Sequence, residues 1–354
     1  MKKRIESKVR SGARITEKEA EFLFAQNDLI WLGRAANAKK ERMTGNRIFF
    51  NLNRHLNPTN YCLNRCRFCA FSADFGEKHG YQLSLKQIDR IADSGRGIHE
   101  FHVVGGLHPE WNFDYYLEIL RRLKKKNPQV LIQAYTAVEI DHFSKISGLS
   151  LEQVIAELKK AGLDGVPGGG AEIFNPTVRK KICPEKISGS RWLEIHAALH
   201  HAGIPTNATM LYGHLEDYAD RVDHLRRLRL LQDQTHGFSA FIPLAFHPQN
   251  TRIKNVHNTT GVDDLKTIAV SRLYLDNFPH IKAFWIMLGE KLAQVALWFG
   301  ADDLDGTVEE EKITHMAGAQ TPEALARDEL VRLIREAGRK PVERDTWYRV
   351  KKIW

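Results

Sequence analysis

Cysteine is scarce, with four residues in a chain of 354. So few thiols in so long a chain rule out a disulfide-stapled scaffold, and a chain of this length can bury a core without staples. Long apolar runs are also missing, and none approaches the roughly 20 residues of a membrane-spanning helix. Met1-Lys2-Lys3-Arg4 carries the charge of a secretory leader, but residues 5–14 hold neither an apolar core nor a cleavage pattern. Low-complexity linkers are absent, as are repeats beyond a strand–helix rhythm. Lys and Arg outnumber Asp and Glu by 52 to 43, a formal charge of +9. These charges are scattered and form no stripe that would suit a polyanion. The expectation is a cytoplasmic protein with no membrane and no nucleic-acid partner, where clustered thiols serve as ligands or catalysts.

What is present is an alternating pattern. Thr16-Glu17-Lys18-Glu19 has capping-box form and predicts a helix there, with a second over residues 29–41. Residues 1–45 thus read as a helical extension. From Ile48, eight short strand-like runs alternate with amphipathic helices: 48–53, 100–104, 130–135, 163–166, 205–211, 238–244, 281–288 and 297–301. Ser84 with Gln87 and Ser150 with Gln153 mark two of the helix starts, and Leu151, Val154, Ile155 and Leu158 share one helical face. Eight such units predict an α/β fold, a TIM-type (βα)8 barrel over residues 46–305. Residues 306–354 contain Glu309-Glu310-Glu311, a helix expected over 322–337 after the cap Thr321, and a basic-aromatic tail. They read as a C-terminal cap.

The polar and glycine-rich segments follow the strand runs, and in a barrel such loops share the face where active sites are built. Cys62, Cys66 and Cys69 lie in the first of them, within eight residues. Three thiolates this close can hold zinc or an iron-sulfur cluster. A closed zinc site needs a fourth ligand; Cys183 is distant in sequence, and His55 and His79 flank the segment. Strand alternation puts Gln133, Tyr135 and Ala137 on one face. His214, His247, Asn250 and Thr251 fall in other mouth loops. With Gln133 and Tyr135 they are the candidates for orienting a polar ligand, since an imidazole can donate to a carboxylate.

The Cys-x3-Cys-x2-Cys spacing, with Phe68 just before the last cysteine, resembles the signature of the radical S-adenosylmethionine (SAM) superfamily. The resemblance implies that Cys62, Cys66 and Cys69 hold three irons of a [4Fe-4S] cluster, while SAM chelates the fourth and is cleaved to an adenosyl radical. Val103-Val104-Gly105-Gly106 is similar to the superfamily's glycine motif, which implies that Gly105 and Gly106 approach SAM. Glu172, after three glycines, and Arg191 resemble a pair that binds SAM in barrel-type relatives; Phe71 joins this cofactor-binding set.

Further stretches extend the likeness: Asn57 through Cys62, Arg67 through Phe71, Gly168 through Ile173, Met210 through His214, and Phe241 through Pro248. They resemble the group of futalosine-pathway and deazaflavin synthases, over roughly residues 45–340. This implies SAM consumed as co-substrate, a small dicarboxylate substrate and an external one-electron reductant. The stretches 243–248 and 300–308 fit best the members that add the radical to an alkene; siblings abstract hydrogen.

Overall fold

A computed structural model describes residues 1–95 and 97–354. The N-terminal extension is helical, over Lys2–Ser11, Glu17–Phe24 and Leu29–Thr44. The Thr16 box forms as the sequence predicts: Glu19 N donates to Thr16 Oγ1, and the Glu19 carboxylate accepts from Thr16 N at 2.8 Å. The first of the three helices has no counterpart in the sequence reading, because only Ile5 and Val9 mark its buried face. Arg14 fastens the extension to the outer helices through Asp276 at 2.9 Å and Asp233 at 2.7 Å.

The strands are β1 (Arg47–Asn51), β2 (Asn53–Leu56), β3 (Glu100–Val103), β4 (Leu131–Ala134), β5 (Thr206–Tyr212), β6 (Phe238–Ala245), β7 (His280–Ile281), β8 (Asp303–Gly306), β9 (Lys340–Arg344) and β10 (Val350–Ile353). They form three sheets, ordered β10-β9-β1-β8, β2-β3-β4 and β5-β6-β7, and every pair except β10-β9 is parallel. Single bridges link the sheets: Gln133 with Gly165, Val166 with Thr206, Lys282 with Asp303, and Arg54 with Glu309. Parallel strands alternating with helices that bury one apolar face give a TIM-like α/β fold. Among the described residues no helix is long and apolar enough to cross a membrane.

Five of the expected runs change. The run 48–53 divides at Leu52, with β1 joining the sheet of β8 and β9 and β2 that of β3 and β4. Residues 163–166 contribute only the bridges at Gly165 and Val166. The run 281–288 yields a strand only over His280–Ile281, while Trp285–Leu288 is a helical turn whose Trp285 Nε1 donates to Gly306 O at 2.8 Å. An apolar run that is buried either way carries no period that separates strand from helix. The last strand is not 297–301, which begins as a turn, but the polar Asp303–Gly306. Its acids and the preceding Asp302 are neutralised in place: Arg344 meets Asp303 at 2.7 Å, Lys282 meets Asp305 at 3.0 Å and Arg272 meets Asp302 at 2.6 Å, both arginine pairs being fully buried. Finally, β4 stops at Ala134 because Tyr135 takes φ 61°, a left-handed conformation that breaks the strand alternation.

The C-terminal segment holds the expected helix and tail, with shifted bounds. Its helix spans Arg327–Glu336, and Thr321 instead donates from Oγ1 to Ile286 O at 3.1 Å. The tail enters the sheet, with β9 lying parallel to β1 in continuous register from Arg47–Lys340 to Asn51–Arg344.

Candidate active site

A cavity of about 300 Å³ opens beyond the C-terminal ends of the inner strands, and Cys62, Cys66 and Cys69 all line it. Backbone bonds tie their loop down on two sides. Gly106 N donates to Thr59 O at 2.9 Å, Leu63 N to Leu107 O at 3.0 Å, and Arg67 N to Ile182 O at 2.7 Å. Gly105 and Gly106 line the cavity as well. A β-carbon on Gly106 would collide with the Tyr61 carbonyl, so the bare backbone there lets the glycine turn pack directly under the cysteine loop.

All four cysteines are free thiols. Burial pushes the Cys66 thiol up to about 12 and the Cys62 thiol up as well, so loading metal on them releases protons. Among the described residues no three His, Cys, Asp or Glu side chains converge on one ion position. His79, proposed above as a possible fourth zinc ligand, turns toward Glu77 at 3.7 Å, and Cys183 is buried without lining the cavity. Three thiols spaced around an apolar hollow fit a cluster, which takes each thiolate on a different iron, better than one tetrahedral zinc.

Glu172, two residues after Gly170, takes φ 49°, which turns its carboxylate into the cavity. Its partner is Lys186, with Nζ 2.6 Å from Oε1, and Lys186 lines the same cavity with its ammonium 4.9 Å over the Phe68 ring. Arg191 does not come there. The helix Gly189–His201 buries Trp192, Ile195, His196 and Leu199, which leaves Arg191 on the outer side, paired with Asp141 at 2.8 Å and Glu194 at 2.6 Å. The cation beside Glu172 is therefore Lys186, which no periodicity in the sequence marks. Phe71 is buried against the cavity, edge-on to Tyr81.

Of the candidates for a polar ligand, only His247 reaches the cavity, where its Nε2 faces Met287 O at 3.0 Å. Gln133 is buried and accepts from Asn207 at 3.5 Å. Tyr135, turned by its positive φ, points into the helix layer and donates to Tyr116 O at 2.7 Å. His214 staples its own loop, with Nε2 3.0 Å from Leu211 O and Nδ1 3.0 Å from Glu216. Asn250 donates to Met316 O at 3.0 Å, and Thr251 to Pro248 O at 2.8 Å; both hold the loop after β6.

Two groups escaped the sequence reading. Glu139 closes a capping box with Thr136 at the start of the helix Ala137–Ser147, and its Oε1 also accepts from Gly105 N at 3.1 Å. Burial raises its carboxyl to about 7 against those hydrogen bonds. The Thr136-x-x-Glu139 spacing was the signal that could have found it. The second is His102, stacked on His55, which the sequence offered only as a zinc ligand; both line the cavity wall together with Asp305.

The chain matches the model of the radical SAM superfamily over residues 56–228, and that of the CofH/MqnC C-terminal region over residues 235–354. It is 47% identical to the aminodeoxyfutalosine synthase of Thermus thermophilus, across 99% of this chain and 96% of that protein. The Streptomyces coelicolor aminodeoxyfutalosine synthase is 45% identical, across 99% and 94%. A 5-amino-6-(D-ribitylamino)uracil--L-tyrosine 4-hydroxyphenyl transferase of Methanopyrus kandleri is 42% identical, across 91% and 89%. Among solved structures, methylornithine synthase (PylB) superposes with a TM-score of 0.76 at 19% identity, covering 95% of this chain and 97% of its own. The hydrogenase maturase HydG of Carboxydothermus hydrogenoformans gives 0.76 at 19%, covering 98% and 80%. These two likenesses concern the fold alone. With the relatives aligned along its whole length, the chain belongs to the radical SAM enzymes. Within them it falls in the branch that carries the CofH/MqnC C-terminal region.

Proposed function

We propose that this protein is an aminodeoxyfutalosine synthase. In this reading it adds the 5'-deoxyadenosyl radical of SAM to 3-[(1-carboxyvinyl)oxy]benzoate and forms 6-amino-6-deoxyfutalosine, methionine and CO2 or bicarbonate on a route to menaquinone. The observation that carries the reading is the 47% and 45% identity, over nearly full length, to two proteins of that name. The sibling reading, hydrogen abstraction as in a cyclic dehypoxanthine futalosine synthase or a deazaflavin F0 synthase subunit, draws on the 42% identity to the tyrosine transferase.

Cys62, Cys66 and Cys69 would hold the [4Fe-4S] cluster, which with SAM supplies the adenosyl radical when both are bound. The chain's own side chains do the rest. Lys186 offers an ammonium to the SAM carboxylate, and Glu172 a carboxylate to its amino group. Gly105 and Gly106 leave the backbone bare beside them, and Phe71 packs against the same end. Leu211, Ile242, Leu244 and Phe284 line the cavity and keep water from the reacting centre. We read the strands as a closed barrel, in support of which the four bridges span every gap between the sheets. Residues 1–45, 46–305 and 306–354 are read as extension, barrel and cap, in a cytoplasmic enzyme served by an external one-electron reductant, without a nucleic-acid or membrane partner.

The deciding experiment gives the anaerobically reconstituted enzyme dithionite, SAM and the enolpyruvyl ether. An adenosine-containing adduct is expected. Production of 5'-deoxyadenosine alone, or its accumulation with tyrosine or a futalosine-type substrate, selects the sibling reading. In the same preparation, Cys62→Ala, Cys66→Ala and Cys69→Ala should each abolish reductive SAM cleavage and lower bound iron and sulfide. Cys183→Ala should keep both; loss of its cluster overturns the ligand assignment.

A further inference from the structure

The cavity wall built by β2, β3 and β8 holds a polar site that the thiols, the glycines and the Lys186–Glu172 pair leave unused. His55 on β2 and His102 on β3 are directly paired across parallel strands. Their rings stack 4.4 Å apart and 8° from parallel, so two imidazole edges face the cavity side by side. His55 is only 7% exposed, and its Nε2 has no hydrogen-bond partner among the described residues. Burial first, then the neighbouring His102 and Lys282, hold this imidazole well below its usual range, so it stands neutral.

The charged groups around the pair are already engaged with one another. Lys282 Nζ lies 3.0 Å from Asp305. Glu100 accepts from Asn51 Nδ2 at 2.9 Å and from Thr346 Oγ1 at 2.7 Å, and its other oxygen stands 3.6 Å from His102 Nδ1. A buried ring nitrogen without a partner is unfavourable in a folded protein and calls for an explanation. A ligand oxygen delivered to this wall supplies one.

We propose that His55 and His102 dock the aryl carboxylate of the substrate, an inference that rests on the benzoate-bearing substrate of the functional reading above. A carboxylate accepts at both oxygens and has no hydrogen to donate, so it matches two neighbouring imidazoles that each turn their single N–H toward it; for His102 that is the tautomer with Nδ1, 3.6 Å from Glu100 and outside hydrogen-bond range, unprotonated. The alkene has to sit where the radical is made, beside the cysteine loop at the strand ends. The enolpyruvyl carboxylate, bonded to that alkene, stays there too. The aryl carboxylate is the group left to reach the strand-borne imidazoles deeper in the cylinder, and the ring between the two ends rests on aliphatic wall.

Calorimetric titration of the reconstituted, SAM-loaded enzyme tests this with two unreactive ligands. One is 3-(1-carboxyethoxy)benzoate, which lacks the alkene; the other is 2-phenoxypropanoate, which also lacks the aryl carboxylate. His55→Phe and His102→Gln should each weaken the benzoate ligand roughly tenfold or more. Affinity for the phenoxy ligand and for SAM should not change. His55→Gln, which retains a donor, should lose less and serves if His55→Phe fails to fold. Equal weakening of both ligands, a fall in SAM affinity, or no change in any variant overturns the assignment. If wild-type protein binds the benzoate ligand while the variants match it, this site alone is wrong. If wild-type protein binds neither ligand, the functional reading goes with it.

Discussion

Glu172–Lys186 and Asp141–Arg191 are two carboxylate–cation pairs on neighbouring stretches of chain, and they face opposite ways. Both atoms of the first pair lie in the cavity beside the thiols; the second sits on the outer helix layer, where Arg191 is about one-third exposed and shared with Glu194. Glu172 and Arg191 look like partners in the linear sequence, but each is committed to another residue. The choice follows from which face of each element meets the parallel strands. Glu172 is turned inward by a left-handed backbone position, whereas Arg191 is carried outward by the phase of a helix anchored on Trp192. The consequence is energetic as well as geometric. Loss of Lys186 leaves a bare charge in the interior, whereas Asp141, although buried, keeps Lys145 at 2.7 Å when Arg191 is lost. Glu139 makes the third case, a buried carboxylate with no paired cation among the described residues, and it responds by holding its proton more tightly.

The largest effect expected from this contrast is at Lys186. Lys186→Met should destabilise the apoprotein by about 3 kcal/mol by stranding Glu172, and should lower SAM affinity. The double variant Glu172→Gln with Lys186→Met should recover most of the stability but not the SAM binding. Denaturant unfolding and SAM titration read the two separately; a double variant no more stable than Lys186→Met would dissolve the distinction between inner and outer pairs.

Glu139 should show its burial through pH. Its carboxyl keeps a proton up to about pH 7 in the folded state, against an ordinary value of 4.5. Between those values the native state binds more protons than the unfolded chain, so stability falls as pH rises through the window. The full drop is about 3 kcal/mol, and it is absent below the unfolded value. Glu139→Gln should flatten that slope in unfolding measured from pH 4 to pH 8. An unchanged slope assigns it to other groups.

The smallest effect belongs to Arg191→Ala, which should cost about 1 kcal/mol or less and leave SAM affinity as it was. A clear loss of SAM binding in this variant would bring Arg191 back to the cavity and reverse the comparison.

Much of the site was legible because it is local. The three thiols sit within eight residues, the glycine turn follows the next strand directly, and capping boxes at Thr16, Ser84 and Ser150 each occupy four residues and formed as their spacing predicts. The strand Asp303–Gly306 was hidden for the opposite reason. Asp-Leu-Asp-Gly reads as a loop until Arg344 and Lys282, distant in sequence, neutralise its two acids and Arg272 the adjoining Asp302. Tyr135 misled through a single backbone angle, since alternation holds only while every residue stays in the β region.

By itself, then, the sequence determined the thiol spacing, the glycine turn and the succession of strands and helices, all of which depend on neighbours a few residues apart. Tertiary structure decided which side chains share the cavity. His55 meets His102 only because β2 and β3 pair in one register, Lys186 replaces Arg191 because a helix turns one of them outward, and the tail joins β1 because β9 aligns with it. Those outcomes depend on register and helix phase, which long-range packing sets and short-range spacing does not encode.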